Sequence, residues 1–210
     1  MQRLIMLGTR FRILFFACVF LSIMNTAYAA VVDSIVNFSP SDRIIRGEFR
    51  QTQYLLNVNK PFESTGNFIF WRNKALLWRT FQPIRTTTIY DNQKLSAYLF
   101  INGQRIEHQS GATNSLINRI LWSISSANLE VLSLDFQILS QSDSTGWELT
   151  LFPDSSVTNL IAKRIFVRGS SFVEEITVEY FSGDITVLDL YNVSFDSTTS
   201  SLEEAELDNP

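Results

Sequence analysis

The stretch Asn67-Phe68-Ile69-Phe70-Trp71-Arg72 decides how this chain folds. In an extended strand successive side chains point to opposite faces. Phe68, Phe70 and Arg72 therefore share one face, while Ile69 and Trp71 share the other. Both faces are apolar. A sheet of that kind needs cover on both sides, or a ligand on one. Arg72 falls in phase with the two phenylalanines. On that face its guanidinium could donate to backbone carbonyls of a lid or to an ester or carbonyl of a ligand; a strand ending at Trp71 would instead leave it in solvent.

Working outward, the two-residue alternation of half-buried strands extends from Arg43 to Leu99. Leu76-Leu77-Trp78-Arg79-Thr80-Phe81 and Thr86-Thr87-Thr88-Ile89-Tyr90 read as the next strands, punctuated by the turn signals Asn73-Lys74 and Asp91-Asn92. Leu95 to Ile101 continues the run into Asn102-Gly103, a hairpin signal. Strands resume at Leu134 to Ser140, Trp147 to Phe152, Lys163 to Arg168, Glu174 to Tyr180 and Ile185 to Asn192, the last two joined by Ser182-Gly183-Asp184. The result is a mainly β meander of about ten strands, which curls rather than staying flat. Closing or half-closing the sheet hides its edges.

One stretch has a different period. Leu116, Ile117, Ile120, Leu121 and Ile124 recur at three- and four-residue spacing, as in an amphipathic helix capped by Thr113 or Asn114. A weaker helix covers Ala127 to Leu132, and a short one is expected near Val31 to Phe38. Helices inserted mid-chain are natural lids for an open sheet. The chain carries 17 phenylalanines and 4 tryptophans, and only one long helix is on offer to cover them. That shortage points to a lipid-sized apolar cavity, lined by Phe68, Phe70 and Trp78 from the strands and by Leu116, Ile120 and Leu121 from the helix.

At the N-terminus, Arg3, Arg10 and Arg12 precede the apolar run Ile13 to Ile23, and Ala27-Tyr28-Ala29 follows. A basic start, a short apolar core and small residues at a cut site describe a secretory signal over residues 1–29. The run falls short of the roughly 20 apolar residues of a membrane span. The sole cysteine, Cys18, lies within it. A lipoprotein cut site also ends in Cys, but Phe15-Phe16-Ala17 is bulky for one and apolar sequence continues past Cys18. A chain cut after Ala29 has no disulfide, thiol nucleophile or thiolate metal site. It keeps about 180 residues, enough for one domain with a substantial core. The expected division is a signal over 1–29, a lipid-binding domain over 30–195 and an acidic tail over 196–210. The tail holds Asp196, Glu203, Glu204, Glu206 and Asp208 and few bulky apolar residues, so it is expected to be disordered. The whole chain has a net charge of −4, and nothing in that balance asks for nucleic acid.

Gly47-Glu48-Phe49-Arg50-Gln51, Ser64-Thr65-Gly66 running into the opening stretch, Leu76-Leu77-Trp78 and Gln82-Pro83 together resemble the outer-membrane lipoprotein carrier proteins, the LolA family. Trp147 to Pro153 and Gly183-Asp184-Ile185-Thr186 fit the family's later half, most like its divergent branch. The resemblance implies an incomplete, half-open antiparallel barrel closed by a few lid helices around an apolar cavity. It implies a monomeric periplasmic carrier that takes the acyl chains of a lipoprotein from an inner-membrane donor complex to an outer-membrane acceptor. Arg72 matches the arginine that ties the lid to the barrel, Leu76 an exposed apolar position used in partner contact, and Trp78 a buried tryptophan. Two departures, Asn73 for the family's proline and Asp91-Asn92 for its D-G turn, both suit turns. The acidic C-terminal end lacks the family's final strand signature, which leaves open a different acylated cargo, such as a glycolipid or an acylated pigment.

An enzyme reads less well. A catalytic triad would have to use His108, the only histidine, in the polar stretch Glu107 to Gly111. No G-x-S-x-G elbow occurs, and Glu174 and Glu175, adjacent on a strand, point apart. Metal sites have neither cysteine nor further histidine to draw on, calcium loops and phosphate-binding glycine loops are missing, and no cofactor is expected. An envelope sensor with the same lipid-binding shape remains the alternative to a carrier.

Overall fold

The computed structural model describes residues 44–72, 74–91, 94–102, 104–108, 112–126, 128–154 and 162–208. The expected signal sequence, the helix near Val31 to Phe38 and the turn residues Asn73, Asn92 and Gly103 lie outside these residues.

Six strands come first: β1 (Ile44–Tyr54), β2 (Phe62–Trp71), β3 (Ala75–Gln82), β4 (Thr86–Asp91), β5 (Lys94–Ile101) and β6 (Gln104–His108). Two helices follow, α1 (Ala112–Ser125) and α2 (Leu129–Ser133). Five strands then complete the sheet: β7 (Phe136–Ser142), β8 (Trp147–Pro153), β9 (Arg164–Gly169), β10 (Val173–Glu179) and β11 (Ile185–Asp196). Helix α3 (Ser201–Asp208) is the last element. The eleven strands form one sheet in the order β6-β5-β4-β3-β2-β1-β11-β10-β9-β8-β7. Every pairing is antiparallel, and the sheet does not close. The protein is an open half-barrel.

That order has a mechanical consequence. The first and last strands, β1 and β11, pair at the centre over ten Cα partners from Ile44↔Asp196 to Tyr54↔Ile185. The edges are β6 and β7, and the chain between them is α1 and α2. These helices therefore cross from one edge of the sheet to the other and pack on its inner face, α1 against β10 and α2 against β7. Register irregularities in β1 between Arg46 and Glu48, in β2 at Thr65/Gly66 and in β10 between Val173 and Glu175 add local bend and twist.

The alternation in the deciding stretch is realised as expected. Phe68 and Phe70 are 2% and 1% exposed in the inner core, which continues through Ile45, Phe49, Leu76, Trp78, Leu151, Ile176 and Leu188. Ile69 belongs to a separate cluster on the outer face with Ile44, Leu77, Ile89 and Tyr98, and Trp71 packs against it. Several boundaries differ from the sequence reading. Helix α1 begins at Ala112, ahead of the expected caps. Leu134, read as the start of a strand, instead sits exposed beyond α2, and β7 begins at Phe136.

The acidic tail, expected to be disordered, contains α3. Charge and composition hid a capping box over Ser200-Ser201-Leu202-Glu203. The backbone N–H of Ser200 donates to Glu203 Oε2 (2.8 Å), and the Glu203 N–H donates back to Ser200 Oγ (3.3 Å). Arg46 on β1 then fastens the helix by donating to both Glu203 oxygens (2.9 and 2.7 Å), to Asp196 Oδ2 (2.8 Å) and to Thr198 O (3.1 Å). The Arg46 guanidinium is the main cause holding the Glu203 carboxyl down at about 2.

Candidate functional site: the inner face of the half-barrel

Two Gly-x-Phe steps build the floor of the inner face. Gly47 lies directly opposite Phe68, and Gly66 directly opposite Phe49, on the paired strands β1 and β2. Each glycine leaves a space into which the opposing ring leans, the cross-strand cover known for glycines in sheets. A Cβ on Gly47 would stand 2.6 Å from Phe68 Cε1; one on Gly66 would meet the Arg79 carbonyl oxygen and the Phe49 ring. Phe49 stacks on Trp78 of β3 with centroids 4.0 Å apart and planes at 24°. Phe68 stacks on Trp78 at 5.9 Å and on Phe172, at the mouth of β10, at 5.8 Å. The floor is a continuous row of aromatic rings.

Helix α1 lies on that floor. Leu116, Ile117, Ile120, Leu121 and Ile124 are 5% exposed or less and belong to the same cluster as Phe68, Phe70 and Trp78. Trp122 meets Phe70 edge-on at 5.5 Å and Tyr90 at 5.6 Å. Asn118, Ser123 and Ser125 are buried too, so α1 is enclosed around most of its circumference rather than resting as a cap on a cavity. It occupies the inner face in this state. Burial on that polar side has a cost: Ser123 Oγ and Ser126 Oγ have no hydrogen-bond partner among the described residues. At the far end of α1–α2, Arg119 Nη2 lies 2.7 Å from Asp135 Oδ2.

Of the residues singled out from the sequence, six converge: Phe68, Phe70, Trp78, Leu116, Ile120 and Leu121 form one buried cluster. Arg72 is separate from them, because β2 ends at Trp71 and Arg72 stands half-buried in the β2–β3 turn. Leu76 corrects an expectation. The resemblance marked it as exposed and partner-facing, but it is 1% exposed and lies in the inner core. Its Cα partner is Phe70, and directly opposed residues share a face, so the register turns Leu76 inward. Phe49, Tyr90, Trp122 and Phe172 also belong to the site without having been singled out. Phe49 was within reach, two residues after Gly47; Phe172 sits in a loop with no period to announce it.

Elsewhere the polar groups are engaged with one another. A surface cleft of about 380 Å³ at the β7–β8 turn is lined by Asp143, Trp147, Arg168 and Glu174, among others. Asp143 accepts from the Thr145 hydroxyl and the N–H groups of Thr145 and Gly146, which hold its carboxyl below the usual range. Arg168 pairs with Glu175 at 2.8 Å, lowering the Glu175 carboxyl. Among the described residues no cluster of His, Cys, Asp or Glu is placed to hold a metal ion, and no helix is long and apolar enough to cross a membrane.

The fold and its inner face define a class: open antiparallel half-barrels whose helices join the two sheet edges across an aromatic floor. Solved structures of low sequence identity are similar to this chain. A DUF1329 family protein from Desulfovibrio piger is 11% identical, with 84% of this chain and 95% of that chain covered and a TM-score of 0.50. A LolA superfamily protein from Nitrosomonas europaea is 13% identical over 80% of this chain and 95% of that one, with a TM-score of 0.43. A putative outer membrane lipoprotein-sorting protein domain from Vibrio parahaemolyticus is 6% identical over 85% and 97%, with a TM-score of 0.46. At 11% identity and a TM-score of 0.50, the likeness to the DUF1329 family protein is one of fold alone. No family model matches the sequence, and no curated protein matches it.

Proposed function

We propose that this chain is a periplasmic carrier that binds the acyl chains of a lipoprotein or other lipidated cargo on its inner face. It would receive that cargo from an inner-membrane donor complex and pass it to an outer-membrane acceptor, without covalent chemistry. One observation carries the reading: the aromatic floor and the apolar side of α1 form a single buried cluster that no strand pairing closes. Because α1 joins the two free edges, it can leave the floor without breaking a ladder.

Magnitudes favour exchange. Exposing five buried aliphatic side chains of α1 costs about 1.5–3 kcal/mol each. An acyl chain of about sixteen carbons regains about 0.8 kcal/mol per CH₂. The two totals are of the same order, so ligand and helix compete for one surface and neither holds it irreversibly. Phe68, Phe70 and Trp78 would contact the acyl chain on the floor, and Leu116, Ile120 and Leu121 would pack over it. Arg72, at the end of β2, would hold the lid or a ligand carbonyl.

The test is native mass spectrometry of the purified protein, followed by uptake of an added fluorescent fatty acid. Solvent-extractable mass that fragments as acyl chains, or saturable uptake, supports the carrier. Recovery of a cleaved ligand would move the assignment to a hydrolase. Protein that carries no lipid and takes up none would overturn the reading.

A further inference from the structure

The half-barrel has two unlike ends. The β1–β2 loop, the β3–β4 turn, the β5–β6 turn and the β10–β11 turn lie at the same end, as the pairs Tyr54↔Ile185, Gln53↔Phe62, Thr65↔Gln82 and Thr86↔Leu99 require. Large apolar side chains stand exposed on all four: Leu56 59%, Phe62 56%, Ile84 58%, Ile101 46% and Phe181 67%. Tyr54 through Glu63 and Phe81 through Arg85 are exposed at every position. At the opposite end the turns Asp143 to Gly146 and Ser170-Ser171 expose no large apolar residue, and Leu202 on α3 is the one such residue exposed there among the described residues.

The apolar end is also fastened, and basic on its β1–β6 side. Leu56 N–H donates to Asp184 Oδ1 at 2.7 Å, tying the β1–β2 loop to the β10–β11 turn. On the β1–β6 side of this end Lys60, Arg79, Arg85 and Arg105 stand against Glu63 and Asp184, whereas Lys163 and Arg164 are offset by Asp135, Asp154 and Glu179 on the β7–β10 side. Arg79 and Arg85 line a cleft of about 220 Å³ together with Phe81 and Phe100. Apolar side chains interleaved with cations, on separate turns held at one level, fit an anionic lipid surface. A protein partner groove would place them on one strip; here they ring an end.

We infer that this protein docks by its Tyr54–Phe62, Phe81–Arg85 and Phe181 end onto an anionic lipid surface, with lipid phosphate in the Arg79–Arg85 cleft. The inference stands apart from the acyl-binding reading, since Phe81, Ile84, Arg85 and Phe181 lie outside the inner-face cluster.

Co-sedimentation with vesicles of phosphatidylethanolamine and phosphatidylglycerol tests it, using the purified protein and the variants F81S/I84S, Arg85→Glu and Leu139→Ser. Wild type is expected to pellet with these vesicles and at least about tenfold less with pure phosphatidylcholine. F81S/I84S should lose about tenfold or more in affinity, Arg85→Glu should lose affinity most at low salt, and Leu139→Ser, on the β7 edge, should behave as wild type. Fatty-acid uptake by F81S/I84S should stay unchanged, which separates docking from inner-face binding and shows that the variant is folded. Wild type remaining in the supernatant, or equal pelleting by F81S/I84S, overturns the inference. A dimer in solution that F81S/I84S dissolves would also overturn it, assigning this end to a second copy.

Discussion

Phe68 stacks on Phe172 with ring centroids 5.8 Å apart, although β1 and β11 separate their strands. Three strand spacings in a flat sheet amount to about 14 Å. The contact closes because the sheet is curled and because Gly47, between the two, offers no side chain. This pair spans the floor from the first half of the chain to the second. An alanine at position 47 would press on the Phe68 ring, itself wedged against Trp78 and Phe172. Gly47→Ala is expected to cost about 1–3 kcal/mol by overpacking. Phe68→Leu in the same chain should recover part of that loss. A double-mutant cycle from urea denaturation checks it, and strictly additive losses would remove the proposed contact.

Helix α1 holds the unpartnered Ser123 hydroxyl in a 1% exposed position. Ser123→Ala removes a desolvated group without opening a large cavity, and should stabilise the closed state by about 1 kcal/mol. If α1 must leave the floor for ligand to enter, the same variant should take up fatty acid more slowly. Stopped-flow uptake beside thermal denaturation measures both; faster uptake by a more stable protein would contradict the competition between helix and ligand.

The α3 latch depends on pH through Glu203. Its carboxyl is held at about 2, below its ordinary value, chiefly by Arg46. A depressed carboxylate stabilises the docked helix above the unfolded value, and that stabilisation is lost as pH falls from about 4.5 through about 2. Hydrogen exchange across 201–208 should therefore speed up selectively in acid. Glu203→Gln should show the fast exchange already at neutral pH, because it removes both the Arg46 pair and the charge of the capping box.

Glu175 and Asp189 are direct cross-strand partners on β10 and β11. Burial first, and then the Glu175 charge, push the Asp189 carboxyl up. The raised value means that the ionised form is disfavoured in the fold, so this site costs stability as pH rises past the unfolded value. Asp189→Asn should raise Tm at neutral pH by about 1–3 °C, the scale of one relieved like-charge pair. The gain should vanish near pH 3, where wild-type Asp189 is already protonated.

Arg72 stands half-buried in the β2–β3 turn, one residue past the end of β2. Arg72→Leu should leave the melting temperature within about 2 °C of wild type, as half-buried turn substitutions usually do. It should change how long a loaded fatty acid is retained, and dissociation kinetics of the fluorescent ligand read this directly. Unchanged retention would remove Arg72 from the site.

Much of this was legible along the chain because strands obey a period of two. Phe68 and Ile69 were assigned to opposite faces by alternation alone, and the inner and outer clusters keep them there. The three- and four-residue spacing of Leu116 to Ile124 marked the helix and its apolar side for the same reason. Leu76 reads as exposed only through the resemblance; alternation puts it in phase with Trp78, and its pairing opposite Phe70 turns both inward. The α3 helix escaped because an acidic composition was weighed above four residues that cap it.

The sequence by itself determined the local grammar: where strands run, which face each side chain takes, and where Gly-x-Phe steps leave room for a ring. Those are near-neighbour effects of backbone sterics and alternation. Only the tertiary structure decided that β1 and β11 pair at the centre, that α1 fills the inner face, that Phe68 meets Phe172, and that the apolar turns gather at one end. Each of these joins residues far apart in the chain, where many pairings satisfy the same local pattern. Curvature and burial of the whole sheet choose among them.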